Sequence, residues 1–357
     1  MKGWLVKGGG IAAFTMVLIF GWFCLWAMQQ GFRPLTGLVF AFTPHPAPVQ
    51  SNPVVPVMRA ARVSWLGDLD NRELAEASGL TASPTHADVL WSINDSGDVP
   101  RVFATGMDGS DIGFWHVAAM DVAAMDVVDW EALDSFVWEG QPYLVIGDVG
   151  DNFHWRETAK ILFVPEPATL SGNETLPVAR QLTFTFPDGG LDVEAMAVDP
   201  ARNRVLVISK RTRPPVLYAL PLTPADDELL IAEEVAALEH LPKPTPLDRE
   251  EQPRSWAYRH MPSGMDVHGD HLLLTTYRDA FLYDLSALDA APHRVPLPTI
   301  GQREALTFMH GSPCRAFITR ERSQRVGVAD VFRIDLPLPG CDHTGGVSLT
   351  NERATKR

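Results

Sequence analysis

Five short phrases recur along the chain, each a serine or glutamate, then a small residue, then a leucine or methionine. They are Ser78-Gly-Leu, Glu131-Ala-Leu, Glu194-Ala-Met, Ser263-Gly-Met and Glu304-Ala-Leu, spaced 53, 63, 69 and 41 residues apart. Each precedes a run rich in β-branched, aliphatic or aromatic residues: Val89–Ile93, Tyr143–Ile146, Arg204–Ile208, His271–Thr276 and Arg315–Thr319. Gly, Pro, Asp and Asn bound these runs, which is the signature of short strands between turns. The spacing leaves room for a four-stranded unit with variable loops. Five such units predict radial repetition, in which each small sheet buries both faces against its neighbours.

Counting strands sharpens the expectation. The third unit holds four candidates, at Glu194–Val198, Arg204–Ile208, Val216–Leu220 and Glu234–Glu239. The fifth holds three before Leu338, whereas Ala61–Leu66 stands ahead of the first unit with no blade of its own. The predicted fold is therefore an all-β, five-bladed β-propeller over 59–340, closed by an N-terminal strand. A sixth blade from the Pro-rich segment has too few strand signals. Beyond the N-terminal segment no stretch sustains a 3.6-residue apolar period for three turns, which excludes a helical domain. The 29 prolines and 27 glycines suit the many turns required.

Ahead of that domain, Ile11–Met28 runs without a charge, with Lys2 and Lys7 before it and Arg33 after it. That length spans a hydrocarbon core of about 30 Å. It predicts one N-terminal transmembrane helix, with 1–30 forming a cytoplasmic stub and signal-anchor. The N-terminus is then cytoplasmic and the propeller periplasmic or otherwise extracytoplasmic. The competing reading is a cleaved signal peptide. No small-x-small cleavage site follows Met28, and Cys24 makes a poor lipoprotein site. Either way the remainder is exported. Residues 31–58 read as a Pro-rich linker, its core Pro44–Val57 an extended spacer, and 341–357 as a polar tail. In an oxidising compartment Cys314 and Cys341 pair if their strands form a hairpin; the alternative is two separate thiols. A net charge of -14 and a pI near 5.2 exclude nucleic acid as a partner bound by bulk electrostatics.

In a propeller the innermost strand of each blade starts near the central axis. Ser78, Glu131, Glu194, Ser263 and Glu304 are thereby expected to converge. Carboxylates crowded in a narrow channel repel unless a cation or shared protons neutralise them. Oxygen-only donors suit a hard ion, and calcium takes six to eight such ligands. The milder reading has these glutamates bonding backbone amides at the hub. The ends of the second strands lie on the same face, which places Asn94, Asp95, Asp148, Lys210, Arg211, Tyr277, Arg278, Arg320 and Glu321 around the mouth. Asp95 and Asp148 are the candidate catalytic groups that orient or deprotonate water. The others are candidates for holding an anionic ligand. Gly147–Asn152 lacks the spacing of a helical calcium loop and reads as a tight turn, with Arg156 near Asp148. No His-x-x-x-His pair supports zinc, and no Gly-x-Ser-x-Gly elbow supports a serine hydrolase. The tandem Val117–Asp121 and Val122–Asp126 carries no identifiable chemistry.

The order Ser78, Glu131, Glu194, Ser263, Glu304 resembles that of the calcium-activated nucleotidases, or soluble apyrases. Trp65–Asp70, Glu76–Leu80 and Asp129–Glu131 resemble that family's first strand, first turn and second blade start. Where the family has Asp-Asp-Arg-Thr-Gly, this chain has Asn94-Asp-Ser-Gly97. The resemblance, architectural over Ala61–Leu338, implies a central Ca2+, a signal-anchored chain and phosphoanhydride cleavage. Two functions are thus expected to compete. One is a hydrolase acting on phosphate-containing or other anionic small molecules. The other is a non-catalytic binding module for an envelope polysaccharide, peptide or protein. A six-bladed esterase or lactonase would need another blade.

Overall fold

A computed structural model describes residues 48–341, apart from 96–97, 119–128, 153–154, 173, 225–228, 254, 299–302, 321 and 323–328. The expected anchor, most of the tandem at 117–126 and the tail from 342 lie outside the described residues. Among the described residues no helix is long and apolar enough to cross a membrane.

Five antiparallel sheets form the ring. From the inside outwards, blade 1 contains Ala77–Ala82, Val89–Asn94, Arg101–Gly106 and Asp111–Val117. Blade 2 contains Trp130–Trp138, Gln141–Asp148, Ala159–Pro165 and Arg180–Thr185. Blade 3 contains Val193–Asp199, Arg204–Ser209, Val216–Pro221 and Glu233–Ala237, and blade 4 Pro262–His268, His271–Thr276, Ala280–Asp284 and His293–Val295. Blade 5 takes Arg303–Met309, Ser312–Arg320 and Asp330–Asp335 from the C-terminal end and Arg62–Asp68 from the N-terminal end. The ring therefore closes by hydrogen bonding between the two ends of the domain.

The buried apolar side chains fall into five clusters, one in each gap between neighbouring blades. Every sheet is thus covered on both faces. That explains why second strands such as Val89–Asn94 and His271–Thr276 read as continuous apolar runs rather than alternating ones. At two of the recurring phrases the small residue has a steric cause. A Cβ on Gly79 would stand 2.6 Å from Leu133 Cβ in the next inner strand, and one on Gly264 3.1 Å from the Glu304 carbonyl oxygen.

Some outer edges are covered by a strand borrowed from the next blade, which blunts a template for unwanted pairing. Thr175–Leu176, from the last connection of blade 2, adds in parallel to blade 1, and Leu230–Ile231, from blade 3, adds to blade 2. The linker serves blade 4 in the same way. Val57 bridges Arg294 in parallel, Met58 N donates to Arg294 O and Arg294 N to Pro56 O. Further back, Asn52 exchanges side-chain hydrogen bonds with the Lys243 backbone at 2.8 and 2.7 Å, and Val49 N donates to Pro244 O. The extended spacer expected from composition lies, at its described end, along the edge of blade 4. Proline runs lack donors, yet their carbonyls and intervening amides still complete a sheet edge.

Cys314 and Cys341 form a disulfide with Cα atoms 5.5 Å apart, and Leu336 N donates to Cys314 O beside it. The helix Pro246–Glu251, opened by a Thr245/Asp248 capping box, interrupts the passage from blade 3 to blade 4.

Deeper along the inner strands, three residues beyond the glutamate or serine positions, lie two further buried acids. Asp134 of blade 2 accepts from Val198 N of blade 3 at 2.6 Å, and Asp266 of blade 4 accepts from Phe308 N of blade 5 at 2.6 Å. Burial raises both carboxyls, Asp266 to about 6, and the charge of Asp266 raises Asp134 further. A raised carboxyl pKa means that the native state holds a proton the unfolded chain has lost. This contribution to stability is full below about pH 4 and disappears as pH rises through the folded pKa near 6. Relative to Asp266→Asn, the native protein is expected to lose melting temperature between pH 4.5 and about pH 7.5. Parallel melting curves for the two proteins across that range would remove the acid pair as the cause.

Candidate functional site

In each blade the register between first and second strands slips by one residue at the same place. The slips fall between Ala77 and Gly79, Trp130 and Ala132, Val193 and Ala195, Pro262 and Gly264, and Arg303 and Ala305. The extra residue in each is Ser78, Glu131, Glu194, Ser263 or Glu304. A β-bulge re-aims the side chain it carries, and here the five bulges stand at equivalent points around the hub. All five side chains are buried.

Equivalence does not make them one cage. Ser78 Oγ donates to Trp130 O at 3.0 Å and Ser263 Oγ to Arg303 O at 2.7 Å, so each hydroxyl stitches its blade to the next. Glu194 is ion-paired with Lys210 and accepts a 2.9 Å hydrogen bond from the Tyr277 hydroxyl. Glu304 lies outside the acidic cluster. The expected central set of two serines and three glutamates is therefore corrected. Of the five, only Glu131 joins a group with the character of a cation site.

That group is Asp95, Asp129 and Glu131, with one carboxylate oxygen from each within 4.8 Å of the others. Asp95 follows the second strand of blade 1, while Glu131 is the bulge residue of blade 2 and Asp129 lies two residues before it. Glu131 Oε1 and Asp129 Oδ1 are buried with no hydrogen-bond partner. Burial first, and the Asp95 charge second, push Asp129 up to about 7 and Glu131 well above the usual carboxylate range. The donor set is entirely carboxylate oxygen, which suits a hard divalent ion, and the two orphaned oxygens mark where a positive charge is wanted.

The turn at Gly147–Asn152 builds the wall of this cluster. Gly150 lies directly on the acids: a Cβ there would stand 2.4 Å from Asp129 Oδ2 and 2.8 Å from Glu131 Cγ. Asp151 closes the turn by accepting from Trp155 N at 2.7 Å and Arg156 N at 3.1 Å, as a tight-turn reading requires. Asp148 accepts from Asp129 N at 3.0 Å and from Arg156 at 2.9 Å. It holds the backbone of the acidic cluster.

The basic rim is also more fully engaged than its composition suggests. Arg211 pairs with Asp192 at 2.5 Å and with Asn152, Arg278 with Asp248 at 2.6 Å, Arg320 with Asp330, and Lys210 with Glu194. Asp248, buried in the helical insertion, also receives Arg259 at 3.0 Å and His260 at 3.1 Å. Asn94 is spent on local structure, accepting from Glu76 N at 3.1 Å and donating to Glu73 O and Asp98 at 2.7 Å each. Glu321 lies outside the described residues. Sequence reasoning missed Asp129 and Gly150 as site residues. The signal for Asp129 was an acid two residues before the bulge, repeated as Glu76-Ala-Ser78, Asp129-Trp-Glu131 and Asp192-Val-Glu194.

Fold and cluster together define a class: a five-bladed all-β propeller with an acidic, oxygen-lined group at one side of its hub. No protein-family model matches the sequence, and no curated protein matches it. Among solved structures, the luciferin-regenerating enzyme overlays 77% of this chain and 95% of its own at 9% identity and TM-score 0.40. A gluconolactonase from Xanthomonas campestris overlays 83% and 99%, at 14% identity and TM-score 0.43. The WD40 domain of Neurospora crassa Pan2 overlays 73% and 63%, at 8% identity and TM-score 0.33. At these identities and scores the likeness carries no argument about activity.

Proposed function

We propose that the protein is a membrane-tethered, extracytoplasmic propeller that binds calcium at Asp95, Asp129 and Glu131. There it hydrolyses a phosphate-containing or other anionic small molecule. The observation that carries this reading is the pair of buried, unpartnered oxygens, Asp129 Oδ1 and Glu131 Oε1, beside a third carboxylate. A cation held by the three acids would supply the positive charge that polarises an oxygen of the ligand. The chain's own residues prepare the place. Asp148 and Arg156 fix the Asp129 backbone, Gly150 keeps the wall thin, and the Lys210–Glu194–Tyr277 group occupies the neighbouring blades.

The nucleotidase resemblance adds phosphoanhydrides as the substrate class. The apolar segment Ile11–Met28 supports the tether, and the Cys314–Cys341 disulfide supports an oxidising compartment. A second reading, a binding module for an envelope component in which calcium only braces blades 1 and 2, is favoured by the ion pairs that engage Lys210, Arg211, Arg278 and Arg320.

Full-length protein is to be incubated with nucleoside diphosphates and aryl phosphates, in calcium or in chelator. Phosphate release that requires calcium is the expected result. No release, with a melting temperature that calcium still raises, selects the binding module. Indifference to calcium in both assays ends both readings.

A further inference from the structure

The residue just before each bulge points into the gap between blades, and four of the five are apolar: Ala77, Trp130, Val193 and Pro262, all buried. The fifth is Arg303, 2% exposed. Its Nη1 donates to Tyr277 O at 2.8 Å and to Arg278 O at 2.7 Å, in the turn that follows the second strand of blade 4. Its Nε is buried with no partner. Among the described residues no carboxylate lies within ion-pair distance of it, in contrast to Lys210, Arg211, Arg278 and Arg320 around the same mouth. The nearby acid, Asp279, is shared between Arg294 at 3.2 Å and Arg278 at 3.9 Å.

A guanidinium taken out of water needs an anion, and two neutral carbonyls do not replace one. Burial pulls this guanidinium down to about 10; the Asp279 charge opposes that and the Arg259 charge adds to it, so Asp279 offsets only part of the cost of burial. The charge around the mouth is therefore uneven, with surplus negative charge at blades 1 and 2 and a buried positive charge without an ion pair at blade 5.

We propose that Arg303 is an anion-binding residue, taking an oxyanion group of the ligand on the blade 5 side of the mouth, opposite in sign to the cluster of Asp95, Asp129 and Glu131. This rests on the reading that the mouth receives an anionic ligand, and it names the residue that recognises it. The fork of N–H donors suits phosphate or carboxylate oxygens.

The test titrates full-length native protein, Arg303→Met and Arg303→Lys with inorganic phosphate and separately with acetate, by calorimetry and melting. Methionine resembles the apolar counterparts in the other blades. Arg303→Met is expected to melt at or above the native temperature without anion and to lose the anion-induced rise, with affinity at least about 30-fold weaker. Arg303→Lys is expected to keep a response about 10-fold weaker. An anion response unchanged in Arg303→Met overturns the proposal. If that variant does not fold, native affinity in Arg303→Lys overturns it. Native protein that binds calcium and neither anion also overturns it while leaving the cation site intact. Anion binding without calcium binding leaves Arg303 standing and removes the cation site.

Discussion

In Asp129→Asn/Glu131→Gln, calcium is expected to raise the melting temperature no further, while the calcium-free variant melts above the calcium-free native protein. The two halves have one cause. Three carboxylates share a space in which one oxygen of each lies within 4.8 Å of the others, and Asp129 Oδ1 and Glu131 Oε1 are buried without a donor. Without a cation they repel in a desolvated setting, and each unit by which such a group's pKa is displaced is worth ~1.4 kcal/mol. Amides of the same shape remove most of that repulsion. A recovery of roughly 1–3 kcal/mol raises melting by about 2–6 °C in a chain of this size. With a cation the same substitutions remove two of the three charged donors, and an affinity loss of about 100-fold or more is expected. Calorimetric titration and melting in chelator measure both. A calcium response of native size in this variant would place the cation elsewhere.

Gly150→Ala is expected to lower melting by roughly 2–8 °C and to weaken calcium binding at least about 10-fold. The new methyl would stand 2.4 Å from Asp129 Oδ2 and 2.5 Å from its Cγ, closer than side-chain carbons approach such atoms. Asp129 has little freedom to withdraw, because its amide is held by Asp148 and its carbonyl receives Val149 N and Gly150 N at 3.2 Å. The damage is therefore specific to that side chain. In an Asp129→Ala background, which deletes the clashing atoms, the same methyl is expected to have little further effect on melting. A double-mutant cycle reads this coupling directly. Additive losses would show that Gly150 matters for its backbone and not for the acids.

Much of the architecture is legible in the sequence alone. The five phrases mark five bulges, and the orphan strand at Ala61–Leu66 overlaps the closing strand Arg62–Asp68. Both were readable because they depend on local signals: a small residue where inner strands crowd, and an apolar run wherever a strand is covered on both faces. The edge strands Thr175–Leu176 and Leu230–Ile231 were not readable, since two-residue parallel additions have no period. The docking of Pro56–Met58 on blade 4 was hidden for a similar reason, because proline-rich composition looks alike in a spacer and in a strap.

The site divides along the same line. The chain by itself determined which positions face the hub, because a strand's start and its bulge are matters of neighbouring residues. Only the tertiary structure decided which of them meet. Lys210 reaches Glu194, Tyr277 crosses from blade 4 to the same acid, and Arg278 finds Asp248 in an inserted helix. Asp129, two residues from the glutamate singled out, enters the acidic group in place of Glu194 and Glu304. The physical reason is range. Backbone geometry follows from adjacent residues, whereas charge neutralisation follows from which long side chains meet across strands and blades that lie far apart in the chain.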